Sequence, residues 1–523
     1  MTSRSRVLGP KRLAAVLAFL LLGGACTGGG GKTTSTGTAP SCHPDRGGTV
    51  TVGVQDDIVS WDYNVNGTTG GPTPLNGISL VFDPLVRPTD DVSGVEDRLA
   101  RSIKPSDDYR TWTILVRPGV RFQDGRPLTS GDVAFTLNYV LHGPFGYALG
   151  SVKSIDPVDN LTVRVRLSAP YTHFVTEGLA QYAASVIPNN FGGKSKSDFW
   201  RHPYGTGPYK LSSYTPGSGF DLVRNPDYWD RKVPRYIEKI DFKFVPDSND
   251  RILGLEGGDF QLIDRVPPDA KDHLPGDALL RPTKDSTITD ALFPNSDNPL
   301  LADDGVRRAI FYGIDRQSII QVLNGLAAPA VASMANVLPG VTPAQVVPQY
   351  DLQRAKQLVG SSSHPSGGSF SLQFVQGDPA VSLEAQVVQS DLAKLGIHVD
   401  LRPLGFAEFF DRAVKSEFDM MLFPNTAVTP DPIDAVGFFV ATKGYWGGWP
   451  TATQAKLLGQ LEETSAEAQR EKIYDASEAD VLGNAYVIPL VDRFYIDAQS
   501  VKLANLAISR FDQWHLETAW LCT

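Results

Sequence analysis

The residues of this chain that could perform chemistry are scattered rather than grouped. Its eight histidines include no pair spaced three or four residues apart, the spacing that places two metal ligands on one face of a helix. Neither an HExxH helix nor a GxSxG nucleophile turn occurs. Four pairs of adjacent aspartates are present, at Asp56-Asp57, Asp90-Asp91, Asp107-Asp108 and Asp303-Asp304. Adjacent side chains tend to diverge, so such pairs are typical of helix caps and solvated turns. We therefore predict no catalytic site, no preformed metal site and no cofactor.

A loop near residue 445 has the composition of a binding surface. Tyr445, Trp446 and Trp449 lie among glycines and follow no apolar periodicity. Aromatic side chains in such loops often contact small ligands. A packed surface loop of the same composition is the alternative interpretation.

Length and charge narrow the function classes. With 523 residues the chain is too long for one compact domain, so two or three lobes are expected. The formal net charge of -10 argues against nucleic acid as a partner, because phosphate binding requires a basic face.

Residues 1–25 are predicted to be an export signal. Basic residues precede an apolar run at 13–22 that is too short for a permanent membrane span. Cys26 follows small residues and is similar to a lipoprotein attachment site, although Gly23 stands where such sites usually carry Leu. Cleavage without lipidation is the alternative. Residues 26–42, rich in Gly, Thr and Ser, are predicted to be a flexible tether to a membrane lipid, so the folded domain is expected outside the cytoplasm.

The two remaining cysteines, Cys42 and Cys522, lie at opposite ends of the mature chain. Export places them in an oxidising compartment, where an even pair usually forms a disulfide. Two separate free thiols are the alternative.

Periodicity and turn residues predict the elements that position any binding site. Residues 112–116 alternate as a strand does, and Thr129 with Asp132 forms a capping box before an apolar helical stripe. Farther along, the pattern predicts a strand at 370–375, a helix at 383–395 that Gly396 ends, and a second strand at 397–401. That order implies a parallel pair with a right-handed crossover, and therefore an α/β architecture.

Five segments, in order along almost the whole mature chain, resemble one known family. Residues 112–141 are similar to the signature of the family 5 extracellular solute-binding proteins, which are the peptide, dipeptide and nickel receptors of ABC importers. Their sequence is WTILVRPGVRFQDGRPLTSGDVAFTLNYVL. The others are GGTVTV at 47–52, GTGPY at 205–209, NPDYW at 225–229, and DGVRRAI at 304–310 with IDR at 314–316.

The resemblance implies a fold and a function. The fold is the α/β type II periplasmic-binding architecture, in which two lobes enclose a ligand cleft and an extra domain lies towards the N-terminal side. Here it places lobe I at 43–80, 200–285 and 488–523, the extra domain at 81–199 and lobe II at 286–487. The implied function is a monomeric receptor that binds a peptide or peptide-like solute by cleft closure and delivers it to an ABC importer permease.

Other functions stay open at this point. A receptor for a non-peptide solute, such as a metal chelate or a small sugar or amine compound, is the main alternative. A secreted hydrolase and a sensory or surface lipoprotein without transport are alternatives from other classes.

Candidate ligand contacts follow from the resemblance. The loop after the first strand lines the cleft in this family, which here implicates Trp61, Asp62 and Tyr63, although Trp61 could equally belong to the core. Tyr147, after the signature helix, is a candidate for a cleft wall.

One departure from the family concerns the ligand's amino group. Peptide-binding relatives carry Trp-x-x-Asp-Tyr-x-x-Pro, whose Asp takes that group, but Asn425 and Val428 stand here in place of Trp and Asp. A buried ammonium needs a carboxylate partner, so ordinary recognition of a free amino terminus is in doubt. Either Asp431 or Asp62 substitutes, or the ligand is something other than a common peptide.

Overall fold

The computed structural model describes residues 42–58, 60–65, 72–342, 347–433 and 448–522, which belong to one compact unit. Its main elements are three β-sheets with helices packed on them. No helix among these described residues is long and apolar enough to cross a membrane.

Lobe I is built on a seven-stranded mixed sheet. The first strand, Thr49–Val54, buries its valines and runs parallel to Lys239–Phe244 and to Leu262–Ile263. The strand order is Ala278–Thr283, Tyr495–Ser500, Leu262–Ile263, Thr49–Val54, Lys239–Phe244, Gly219–Arg224 and Tyr209–Thr215. Helices Pro72–Val81 and Ser248–Gly257 belong to this lobe. Helix Ser248–Gly257 begins at the N-cap Asp247 and ends at Gly258, whose φ of 82° is a left-handed conformation that suits glycine.

The extra domain contains a four-stranded antiparallel sheet, in the order Ala100–Pro105, Thr111–Val116, Thr162–Leu167 and Val152–Pro157. Helix Ser130–Leu141 packs on it, and the predicted capping box of Thr129 and Asp132 is confirmed. Shorter helices follow at Gly146–Leu149, Phe174–Leu179, Tyr182–Ala184, Asn189–Gly193 and Lys196–Arg201. The extra domain and lobe I share one continuous hydrophobic core.

Lobe II contains a six-stranded mixed sheet, in the order Ala327–Pro329, Ile488–Arg493, Ile288–Pro294, Met420–Thr426, Gly368–Val375 and Ile397–Leu404. Strands Gly368–Val375 and Ile397–Leu404 are parallel and are connected through helix Pro379–Ala393, as the sequence predicts. Among the described residues of this lobe, further helices are Asp304–Gly313, Arg316–Val322, Leu352–Ser361, Phe406–Val414, Ala452–Glu463 and Glu467–Gly483.

The sheets revise one predicted boundary. Strand Ile488–Arg493 was assigned to lobe I, but it pairs with Ile288–Pro294 and Ala327–Pro329 in the sheet of lobe II. The chain therefore returns to lobe I after Arg493, and strand Tyr495–Ser500 is the first element of that return.

The predicted disulfide is confirmed. Cys42 and Cys522 are bonded, with their Cα atoms 5.7 Å apart. The bond joins the segment before the first strand to the end of the chain. Nearby, the two-residue strands Leu503–Ala504 and Trp520–Leu521 pair with each other.

Candidate functional site

A cavity of about 110 Å³ has walls from both lobes and from the extra domain. Helix Pro72–Val81 and the C-terminal segment form much of the lobe I wall. The lobe II wall is formed by Thr426, the last residue of strand Met420–Thr426, and by Val428, two residues later. The lining residues are Leu75, Ile78, Ser79, Phe82, Asp83, Pro84, Arg87, Pro88, Arg98, Ala180, Tyr182, Ser185, Pro208, Tyr228, Thr426, Val428, Phe511, Gln513 and Glu517.

Most of this surface is apolar or aromatic. Ile78 and Phe82, at the end of the first helix, are buried, and Val428 is half-buried in the same lining. A concave, largely apolar surface with a few polar groups is the usual form of a small-molecule site. Val428 is the one predicted ligand contact in the described part of the chain that lines this cavity.

Asp83 is a cavity carboxylate whose oxygens are already occupied. It accepts hydrogen bonds from the Thr206 hydroxyl, the Tyr228 hydroxyl and the Trp229 indole, each at 2.9 Å. Arg98 lies 3.5 Å from it and also contacts Asp230 at 3.5 Å. This arrangement fixes Arg98 and Asp83 as part of the cavity wall.

Glu517 is the second cavity carboxylate and belongs to a charged triad. His515 binds Asp90 through Nε2 at 2.8 Å and Glu517 through Nδ1 at 2.9 Å. Burial alone would lower the pKa of His515, but the two carboxylates outweigh it and raise that pKa to about 9. Burial likewise opposes the charge on Glu517, yet the hydrogen bond from His515 holds the pKa of Glu517 below its usual value. The triad is therefore ionised at neutral pH.

Sequence reasoning did not identify Glu517, and no local signal could have found it. Asp90 and His515 are 425 positions apart, and Glu517 belongs to no motif. Its role depends on a fold that brings the chain's end to the cavity.

The loop predicted to line the cleft is instead packed inside lobe I and the extra domain. Trp61 is 1% exposed and meets Phe220 edge to face at a centroid distance of 5.2 Å. The Tyr63 hydroxyl donates to the carbonyl oxygen of Ser185. Both aromatic residues therefore belong to the core, which for Trp61 is the alternative that the sequence left open, and neither lines the cavity.

Asp62, one of the two proposed substitutes for the missing carboxylate, is engaged elsewhere. It accepts hydrogen bonds from the Tyr139 hydroxyl at 2.7 and 2.6 Å and lies 3.1 Å from the Lys196 ammonium. It is 4% exposed and is absent from the cavity wall.

Asp431, the other proposed substitute, joins lobe II to the extra domain. It accepts hydrogen bonds from two lobe II residues, the Tyr474 hydroxyl at 2.8 Å and the Arg470 guanidinium at 2.9 Å. From the extra domain it accepts a hydrogen bond from the Thr176 hydroxyl at 2.8 Å and contacts the ring of His173. Burial would raise the pKa of Asp431, but His173 and Arg470 hold it well below its usual value. We call this buried group the interlobe latch.

Further contacts surround the latch. The Thr429 hydroxyl donates to Glu177 at 2.7 Å, and the Thr172 amide donates to the carbonyl oxygen of Glu462 at 2.9 Å. These bonds also connect lobe II with the extra domain, so the latch is the centre of an extended polar interface.

The remaining candidates lie away from the cavity or outside the described residues. Asn425 is buried and donates to the carbonyl oxygen of Ser333 at 2.9 Å. Tyr147 is 45% exposed in helix Gly146–Leu149. The Trp449 indole donates to the carbonyl oxygen of Pro294 at 3.0 Å and packs in lobe II. Tyr445 and Trp446, with Cys26, lie outside the described residues.

Metal-binding geometry is absent from the part of the chain that the structure describes. No group of three or more His, Cys, Asp or Glu side chains there could hold an ion.

Comparison with known proteins adds the family context. The family model for bacterial extracellular solute-binding proteins, family 5 (middle region), matches residues 94–447. The "Probable D,D-dipeptide-binding periplasmic protein DdpA" of Escherichia coli (strain K12) is 27% identical over 419 residues, covering 77% of this chain and 80% of that protein.

Two solved structures share the fold. A dipeptide-binding protein from Pseudoalteromonas sp. SM9913 in complex with Met-Leu matches with a TM-score of 0.83 and 21% identity, covering 91% of this chain and 100% of the other. The protein AgaA from A. tumefaciens R10 in complex with agropinic acid matches with a TM-score of 0.81 and 22% identity, covering 91% and 99%. The two-lobed α/β architecture is that of the type II periplasmic binding proteins.

Proposed function

Because the chain belongs to the bacterial extracellular solute-binding proteins of family 5, we propose that it captures a peptide or peptide-like solute and delivers it to the permease of an ABC importer. Proteins of this family act outside the cytoplasm, and the relatives named above are solute-binding proteins rather than enzymes.

The observation that carries this proposal is the cavity between the lobes. Both lobes and the extra domain contribute to its wall, so a solute bound there touches all three. Binding needs only such an enclosure with a few oriented polar groups, and no covalent step. Opening and closing of the lobes around a hinge is the motion by which such a site loads and releases its solute.

The size of the cavity favours a short solute. Its volume of about 110 Å³ corresponds to roughly ten water molecules, since each requires about 10–15 Å³ by this measure. A dipeptide fits this space better than a long peptide does. The names of DdpA and of the Met-Leu complex support a dipeptide-sized cargo.

A non-peptide solute is the second candidate, and Val428 favours it. This apolar side chain lines the cavity, at a position where the resemblance to family 5 implies an amine-binding carboxylate in peptide-binding members. The complex of AgaA with agropinic acid indicates that this scaffold also accepts solutes of other kinds.

We also propose that the protein is a monomer anchored to the membrane through an acylated Cys26. The apolar run at 13–22, the small residues before Cys26 and the Gly- and Thr-rich tether after it support this arrangement. A tethered receptor stays close to its permease while its folded domain moves freely.

Native mass spectrometry tests the cargo. The protein, freed of endogenous solute by dialysis, is offered a pool of dipeptides, a pool of longer peptides, and a pool of sugars and metal chelates. Retention of dipeptides is expected, whereas retention from the third pool alone would establish the second candidate. Deletion of the gene should abolish uptake of the retained solute, and unchanged uptake would contradict delivery to a permease.

A further inference from the structure

The cavity lacks a carboxylate on its lobe II wall but has two on its other walls. Val428 lines the cavity, and the resemblance to family 5 implies an acid at this position in peptide-binding members. Asp62 and Asp431 do not line the cavity. Asp62 is hydrogen-bonded to the Tyr139 hydroxyl, and Asp431 is paired with Arg470. The acids left to consider among the lining residues are Asp83 and Glu517.

Asp83 has no capacity for a ligand. Three donors at 2.9 Å and the guanidinium of Arg98 at 3.5 Å surround its two oxygens. A carboxylate offers about four lone-pair sites, so a further cation would have to displace one of these wall contacts.

Glu517 has fewer hydrogen-bond partners than Asp83. One of its oxygens, Oε1, accepts a hydrogen bond from His515 at 2.9 Å, and no other described side chain donates a hydrogen bond to this carboxylate. The side chain retains 13% exposure while lining the cavity. A partly buried carboxylate with a single side-chain donor is a strong acceptor for an ammonium, because charge-assisted hydrogen bonds gain strength away from bulk water.

The charged residues of the lining balance one another. Arg87 and Arg98 carry positive charges, and Asp83 and Glu517 carry negative charges. Both arginines are paired with carboxylates, Arg87 with Glu96 and Arg98 with Asp83 and Asp230. Glu517 is therefore the charged lining residue with the most remaining capacity for a ligand of opposite charge.

We propose that Glu517 binds the ammonium group of the solute, in place of the missing acid at position 428. The substrate class is then a small solute with a primary amine at one end and an apolar part that packs against Ile78, Phe82 and Val428. A short peptide with a free amino terminus satisfies this description. The inference rests on the proposed function, because it names the group by which the receptor holds its cargo.

Three pools separate this inference from the proposed function: dipeptides with free amino termini, the same dipeptides after N-acetylation, and non-peptide primary amines. The wild-type protein is offered each pool and the bound fraction is measured by native mass spectrometry. Free dipeptides should bind about 30-fold more tightly than their acetylated forms, since loss of a buried, hydrogen-bonded charge pair has effects of this size or larger.

Variants then assign the effect to Glu517. Glu517→Gln should lower the affinity for free amines about 30-fold and leave acetylated dipeptides unchanged. Glu256→Gln, at an exposed position in a lobe I helix, is the matched control and should bind as the wild type does. Should Glu517→Gln fail to fold, Glu517→Asp replaces it: withdrawal of the carboxylate by one CH₂ group should lower the affinity for free amines about tenfold.

The outcomes are distinct. Equal binding of free and acetylated dipeptides, or unchanged binding of amines by the folded Glu517 variant, overturns the assignment of Glu517 while the peptide receptor stands. Binding of non-peptide amines alone, lost in the Glu517 variant, supports the assignment and overturns the peptide cargo. Binding from none of the pools overturns both.

Discussion

Removal of one hydrogen bond across the interlobe latch should weaken solute binding without touching the cavity. The Thr176 hydroxyl, in the extra domain, donates to Asp431 of lobe II at 2.8 Å. Thr176→Val removes this donor and keeps the shape of the side chain. If the bond forms only when the lobes close, its loss raises the free energy of the closed state alone, and every solute should bind more weakly.

The magnitude follows from the charge and burial of Asp431. A hydrogen bond to a charged group contributes about 1.5–3 kcal/mol. Asp431 keeps Tyr474, Arg470 and His173 as partners after the substitution, so the lower figure applies. About 1.5 kcal/mol corresponds to roughly a tenfold rise in the apparent dissociation constant.

A second donor to the same carboxylate provides the control. The Tyr474 hydroxyl donates to Asp431 at 2.8 Å, but Tyr474 and Asp431 both belong to lobe II. Tyr474→Phe should therefore lower the thermal stability of the protein and leave solute affinity close to that of the wild type. Isothermal titration calorimetry with the tightest-binding dipeptide of the pool measures both affinities. Equal affinities of the two variants, whether reduced together or both unchanged, would refute the latch as a determinant of closure.

Three further predictions concern the ends of the chain. The disulfide between Cys42 and Cys522 closes a loop with a sequence separation of 480, so its removal should lower the free energy of unfolding by on the order of 5 kcal/mol; two alkylatable thiols in unreduced, unfolded protein would contradict the bond. Cys26→Ser should move the protein from the membrane fraction to the soluble fraction, and an unchanged distribution would contradict acylation. The pKa of His515 is raised to about 9 in the folded protein. Protonated His515 therefore stabilises the fold fully below about pH 6.5, and the free energy of unfolding falls, by about 3 kcal/mol at most, as the pH rises through 9. Urea unfolding between pH 6 and 10 should show this loss in the wild type and not in His515→Gln.

Features that depend on neighbours in sequence were predictable. The capping box of Thr129 and Asp132 lies within one helical turn, and its geometry is as the sequence indicates. Local periodicity also predicts strand Gly368–Val375, helix Pro379–Ala393 and strand Ile397–Leu404. The helix ends at Ala393, two residues before the predicted end, and Gly396, at a φ of 74°, lies in the turn that leads to the next strand. In each case the residues that decide the structure are close together in the chain.

Features that depend on distant partners were not predictable from local patterns. An aromatic residue beside a carboxylate suggested a ligand-binding loop at Trp61 and Asp62, but whether such a loop faces a cleft or a core is decided by residues such as Phe220 and Tyr139. Asp431 is likewise one of two candidates for the missing carboxylate by sequence, and only the fold shows that donors from two parts of the protein occupy it. Strand Ile488–Arg493 was placed in the wrong lobe because its sequence does not specify its pairing partner.

We expect the cavity and the latch to make separable contributions to binding. Val428 and Glu517 line the cavity, so changes there are expected to alter which solutes bind. Thr176 and Asp431 contact each other outside the lining, so changes there are expected to alter the free energy of closure, which all solutes share. Thr176→Val should therefore lower the affinities for free and acetylated dipeptides by the same factor, whereas Glu517→Gln should lower only the first. In a double variant the two losses should add in free energy, because sites without shared partners are usually independent. A loss that depended on the solute in Thr176→Val would mean that the latch also shapes the cavity, and specificity in this receptor would then be a property of closure as well as of its walls.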